Sequence, residues 1–124
     1  MYLIGAPHRH KTDAQLLIEK AIAAGERLVT DAEVLQEILH RYTAIRRREA
    51  IPAAIQAILD VVDDVFAIDK ADVLRASEIV QQPAELSARD AIHVAVMERR
   101  GVRSVMSFDS DFDRWPGLTR LHEI

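Results

Sequence analysis

Residues 87–107 read SARDAIHVAVMERRGVRSVMS, and this stretch decides the fold class. Ser87 with an acid three residues later, Asp90, is a helix-start pattern. From Ala91 to Met97 only His93 is polar, and a helix apolar nearly all round is buried on more than one side. Gly101 stops the helix. Arg103-Ser104-Val105-Met106-Ser107 then reads as a strand that delivers Phe108-Asp109 at its carboxyl end. A buried helix feeding a short buried strand is the signature of a layered α/β domain.

The pattern repeats toward the N-terminus. A helical spacing runs from about Lys11 to Ala24, with Leu16, Leu17, Ala21 and Ile22 apolar, and stops near Gly25. Arg27-Leu28-Val29-Thr30 reads as a strand, and Thr30 to Glu33 as a capping box opening a second helix that continues to about Arg47. A third helix fits about Ile51 to Val61. Val65 to Ile68 follows as a strand, then a helix from Lys70 to about Gln82, and a last strand fits Thr119 to Leu121. Strands alternating with helices predict an α/β sandwich with a mainly parallel sheet, whose ligands bind beyond the carboxyl ends of the strands.

The chain of 124 residues suits one domain, residues 1–124, and no linker divides it. No run of eighteen apolar residues is present, so no membrane span is expected. Cysteine is absent, which removes disulfides and thiolate metal sites. No signal peptide opens the chain, and a cytoplasmic location is the expectation. A net charge of −4 argues against broad nucleic-acid binding through a basic surface, though not against an acidic active site on such a substrate. Glycine-rich phosphate loops and Gly-x-Ser-x-Gly are missing, which leaves kinase and serine-hydrolase readings unsupported.

Carboxylates dominate the positions just beyond strands, and clustered carboxylates without a cation repel one another. Oxygen-only donors point to a hard ion, Mg²⁺ or Mn²⁺. Glu37, Asp90 and Asp109 are the candidates. Each also has a plainer role. Asp90 would stabilise a helix start by itself, Glu37 would pair with Arg41 four residues on, and Glu33 would serve the capping box with Thr30. Asp109, Asp111 and Asp113 alternate as in a calcium loop, but Arg114 and Arg120 stand where its glycine and bidentate Glu belong. His8-Arg9-His10 is better read as a solvated tail than as a soft-metal site, and His93 as a satisfied core histidine. Arg46-Arg47-Arg48 is either a dipole-compensating helix end or a phosphate contact.

Three ordered segments carry a resemblance: Thr30 to Leu39, Leu86 to Ala95, and Val105 to Asp113. Together they resemble the PIN-domain ribonucleases, above all the toxin half of VapBC toxin–antitoxin pairs. The resemblance implies a PIN-like α/β/α sandwich and metal-activated endonucleolytic cleavage of RNA. By position it implies Glu37, Asp90 and Asp109 as catalytic and metal-binding acids, with Mg²⁺ or Mn²⁺ as cofactor. Ser107 and at most one of Asp111 and Asp113 would be auxiliary. It further implies a small antitoxin partner and a homodimer.

The front of the chain departs from that pattern. The family opens with a short apolar strand ending in Asp, whereas Tyr2 to His8 resembles the segment after it. The expectation is therefore an N-terminally truncated domain lacking its first strand and first acid. An inactive module that only binds antitoxin and dimerises is the alternative to an active nuclease.

Overall fold

A computed structural model describes residues 1–5, 11–107 and 110–121, with 11–14, 110, 111 and 121 by backbone alone. Five strands, β1 (Tyr2–Ile4), β2 (Leu28–Asp31), β3 (Asp64–Phe66), β4 (Ser104–Met106) and β5 (Thr119–Leu121), form one sheet. Its order is β3-β2-β1-β4-β5, and every pairing is parallel. The helices are α1 (Lys11–Ala23), α2 (Ala32–Ala44), α3 (Ile51–Val61), α4 (Lys70–Ile79) and α5 (Ala88–Arg100), with 3-10 turns at Arg48–Ala50 and Ser110–Arg114.

Alternation along each strand sorts side chains to opposite faces, and the parallel register lines them up. Leu3 pairs with Val29 on one side and Val105 on the other. All three face a core built with α4 and α5, to which Ala91, Val94 and Met97 belong. Their neighbours Ile4, Leu28 and Met106 face a second core with Leu17 and Ala21 of α1, Val34 and Ile38 of α2 and Ile58 of α3. The molecule is thus an α/β/α sandwich. Helix α5 is buried from Asp90 through Met97 except at the half-buried Ile92, as its nearly unbroken apolar run requires. It ends where Gly101 turns left-handed at φ 71.

Two expectations are corrected here. The sheet does not lack a central strand: Tyr2–Ile4 pairs on both edges, with Leu28 and Val29 of β2 and with all of β4. Three apolar residues with strand alternation suffice to fill that slot. The cap of α2 is Asp31, not Thr30. Asp31 Oδ1 accepts the Val34 N–H at 3.1 Å, while Thr30, fully buried in β2, donates its hydroxyl to the Ile4 carbonyl at 2.8 Å. Glu33 therefore has no Thr30 capping box to complete. By contrast Ser87 caps α5 as expected, its Oγ accepting from the Asp90 N–H at 3.2 Å.

Strand β1 is flanked by β2 and β4, so the chain direction of the sheet's growth reverses there. Crevices at such switch points open at the carboxyl ends of the strands. Gly5, Asp31 and Ser107 stand at those ends.

Candidate functional site

The end of β2 carries the most buried charge of this region. Asp31 has no exposed surface and His93 is 4% exposed. His93 Nδ1 lies 2.7 Å from Asp31 Oδ2; a carboxylate only accepts, so Nδ1 carries the proton. The carboxylate is thereby used twice, capping α2 through one oxygen and binding α5 through the other. Phe112, in the turn after β4, packs near the imidazole at a centroid distance of 6.4 Å.

Burial pushes the His93 imidazole toward its neutral form, but the bond to Asp31 and the charges of Asp31, Asp90 and Glu33 outweigh it and raise its pKa above the usual value. A raised folded-state pKa adds stability that is complete below the unfolded value and fades as pH climbs through the folded one. Urea melts of the wild type and His93→Asn should differ most below pH 6.5 and progressively less as the pH rises above it. A gap that is constant across that range would contradict this charge assignment.

Asp90 is 8% exposed in the first turn of α5. Glu37, one turn further along α2 than Glu33, has a side chain 13% exposed. Its Oε1 accepts from Arg89 Nη1 at 2.9 Å and from Arg41 Nη2 at 3.3 Å. The pairing with Arg41 is the plain role the spacing suggested; the one with Arg89 joins α2 to the start of α5 and brings Glu37 within one arginine side chain of Asp90's backbone. Glu33 is held above the normal carboxylate range, first by burial and then by Asp31 and Glu37, with His93 and Arg89 opposing. Asp31, Glu33 and Glu37 therefore share one negative field at the carboxyl end of β2.

The other expected residues are placed as follows. Asp109 lies outside the described residues, as does the side chain of Asp111. Asp113 is gripped by Arg120 at 2.9 and 3.0 Å. Ser107, beside Gly5, offers its carbonyl to the same arginine at 3.3 Å. Arg46, Arg47 and Arg48 are exposed at the far end of α2, Arg46 with φ 59 and Arg47 bonded to Glu49 at 2.6 Å. His8-Arg9-His10 lies outside the described residues.

Sequence reasoning missed Asp31 and Arg89. The signal for Asp31 was available: it directly follows a buried strand, the same reason for which Asp109 was singled out. In kind, Glu37 and Asp90 suit a hard divalent ion, since both are carboxylates at the strand ends. Among the described residues no three Asp, Glu or His side chains gather closely enough to hold one. Two cavities, of about 600 and 470 Å³, lie elsewhere, one beside Arg27 and Asp63 and one beside Trp115, and neither includes these acids.

Residues 1–118 match the PIN domain family. Ribonuclease VapC13 of Mycobacterium tuberculosis is 57% identical over 121 residues, covering 98% of this chain and 92% of that protein. Among solved structures, M. tuberculosis VapC20, described as a Sarcin-Ricin loop cleaving toxin, aligns with TM-score 0.70 and 23% identity over 90% of this chain and 92% of that one. DNA-bound VapBC from Salmonella typhimurium aligns with TM-score 0.72 and 13% identity over 98% and 97%. At those identities the two structures speak for the fold alone.

Proposed function

This chain belongs to the PIN-domain family, and from that premise we propose that it is a metal-dependent endoribonuclease, the toxin of a VapBC-type toxin–antitoxin pair. The reading is carried by one observation: Arg89, next to Asp90, reaches Glu37 at 2.9 Å, so the two expected acids lie at the same end of the sheet. The 57% identity to a protein named a ribonuclease supports it over nearly the whole chain.

In this reading Glu37, Asp90 and Asp109 hold Mg²⁺ or Mn²⁺. Such an ion supplies a water of lowered pKa and neutralises charge growing on the phosphate. The chain's own part is to hold the carboxylates in place. Arg89 and Arg41 offset the charge of Glu37. Arg89 is half exposed, so its hold on Glu37 is worth at most about 1 kcal/mol, and the guanidinium is free to turn to a phosphate oxygen. Ser107 and Asp111 are the auxiliary groups; Asp113 is engaged by Arg120. Arg46, Arg47 and Arg48 lie about 20 Å along α2 from its cap, where they suit backbone phosphates further along an RNA.

The partners in this reading are RNA, a cognate antitoxin and a second copy of the chain. Leu39 on α2, Ile45 just past its end, and Val73 and Leu74 on α4 are half-exposed apolar side chains, in keeping with surfaces covered by protein. No described helix is long and apolar enough to cross a membrane. By its likeness to the VapC toxins we place its action in the cytoplasm.

The test is cleavage of a structured RNA by the purified chain. Product is expected with Mn²⁺ or Mg²⁺ and none with excess EDTA, restored on adding the ion back. Cleavage that persists in EDTA would overturn the reading. A specific observation favours a second one, a weak or inactive antitoxin-binding module: Gly5, without a carboxylate, follows the central strand β1. Titration with Mn²⁺ by calorimetry separates them, because the inactive module should give neither binding heat nor product.

A further inference from the structure

Three elements carry the acids of the proposed site: α2 bears Glu37, α5 bears Asp90, and the segment around the Ser110–Arg114 turn bears Asp109 and Asp111. One side chain touches all three. His93 bonds Asp31, which caps α2; it stands on α5 one turn beyond Asp90, on the same helix face; and its ring packs near Phe112.

We infer that the Asp31–His93 pair is the positioning element of the acidic site, setting where Asp90 stands relative to Glu37. This inference rests on the ribonuclease reading and adds to it two residues that touch neither RNA nor metal.

The geometry leaves the pair little slack. Asp31 has no exposed surface, and its two oxygens are committed to different helices. A slide or rotation of α5 on the sheet breaks a 2.7 Å bond that water cannot replace at a fully buried carboxylate. Arg89 makes a second bridge between these helices, but half exposed it is too weak to hold the spacing. The negative groups around the imidazole are Asp31 from β2, Glu33 from α2 and Asp90 on its own helix.

The test compares three variants of the full chain. His93→Phe keeps a ring against Phe112 but cannot donate to Asp31. His93→Asn keeps a donor at the place of Nδ1. Asp31→Ser keeps an α2 cap but is too short to reach His93. His93→Phe and Asp31→Ser are expected to lower kcat for RNA by about 10²-fold, as small misplacements of catalytic groups do. KM should stay within about threefold, Mn²⁺ binding should weaken at least tenfold, and His93→Asn should regain most of both. Because Asp31→Ser alters the other partner, it gives the same readout if His93→Phe does not fold. A folded His93→Phe or Asp31→Ser with wild-type kcat and Mn²⁺ affinity overturns the inference, as does His93→Asn failing equally. Wild-type protein that neither cleaves RNA nor binds Mn²⁺ instead removes the ribonuclease reading, and the inference with it.

Discussion

Replacing Asp90 by Asn is expected to lower RNA cleavage by at least about 10³-fold while leaving the fold nearly as stable as before. The two effects separate because, in the proposed reading, the carboxylate has two roles of different size. As the third residue of α5 it interacts with the helix dipole, worth about 0.3–1 kcal/mol. Asn keeps the size, the backbone bond to Ser87 Oγ and a polar tip, so the melting temperature should fall by only a few degrees. As a ligand to a divalent ion the charge is worth several kcal/mol in the transition state, and about 4 kcal/mol is three powers of ten in rate. Cleavage of a labelled RNA and a thermal melt of the same preparation decide the matter. Activity within tenfold of the wild type would take Asp90 out of the metal site.

Asp31→Ala, unlike Asp90→Asn, should have a large effect on stability. The substitution removes the α2 cap, about 1 kcal/mol, and a buried charge-assisted bond to His93, about 1.5–3 kcal/mol. A further penalty arises from leaving a buried imidazole N–H without an acceptor. A loss of about 3–5 kcal/mol follows, which for a small domain is roughly a third or more of the total. The melting temperature should drop by about 10 °C or more. Urea unfolding gives the figure directly, and a loss below about 1 kcal/mol would mean that water or another group takes over both bonds.

The order of helices and strands was legible because periodicity is a local property. Ala91 to Met97 could hardly be anything but a helix buried on two sides, and the structure has it so. The capping role of Ser87 and the ion pair of Glu37 with Arg41 were equally local. What escaped was long-range. Thr30 and Asp31 are both ordinary cap residues, and the choice between them depends on where β2 ends, which its pairing with Phe66 of β3 determines. The partnership of Asp31 with His93 spans 62 residues and that of Arg89 with Glu37 spans 52; no spacing rule reaches so far. The place of Tyr2–Ile4 in the sheet was missed for a related reason. Three residues are too few for a strand signal until the flanking strands provide a slot.

That slot has a consequence for synthesis. Strand β1 leaves the ribosome first, yet its partner β4 begins at Ser104. Closing a loop of about a hundred residues costs roughly 4 kcal/mol of chain entropy, and nothing can repay it until the second strand exists. The sheet's centre, and with it the strand ends beside Asp31, is therefore completed only after β4 has been translated. In the proposed reading, a nuclease built this way cannot act before β4 has joined the sheet.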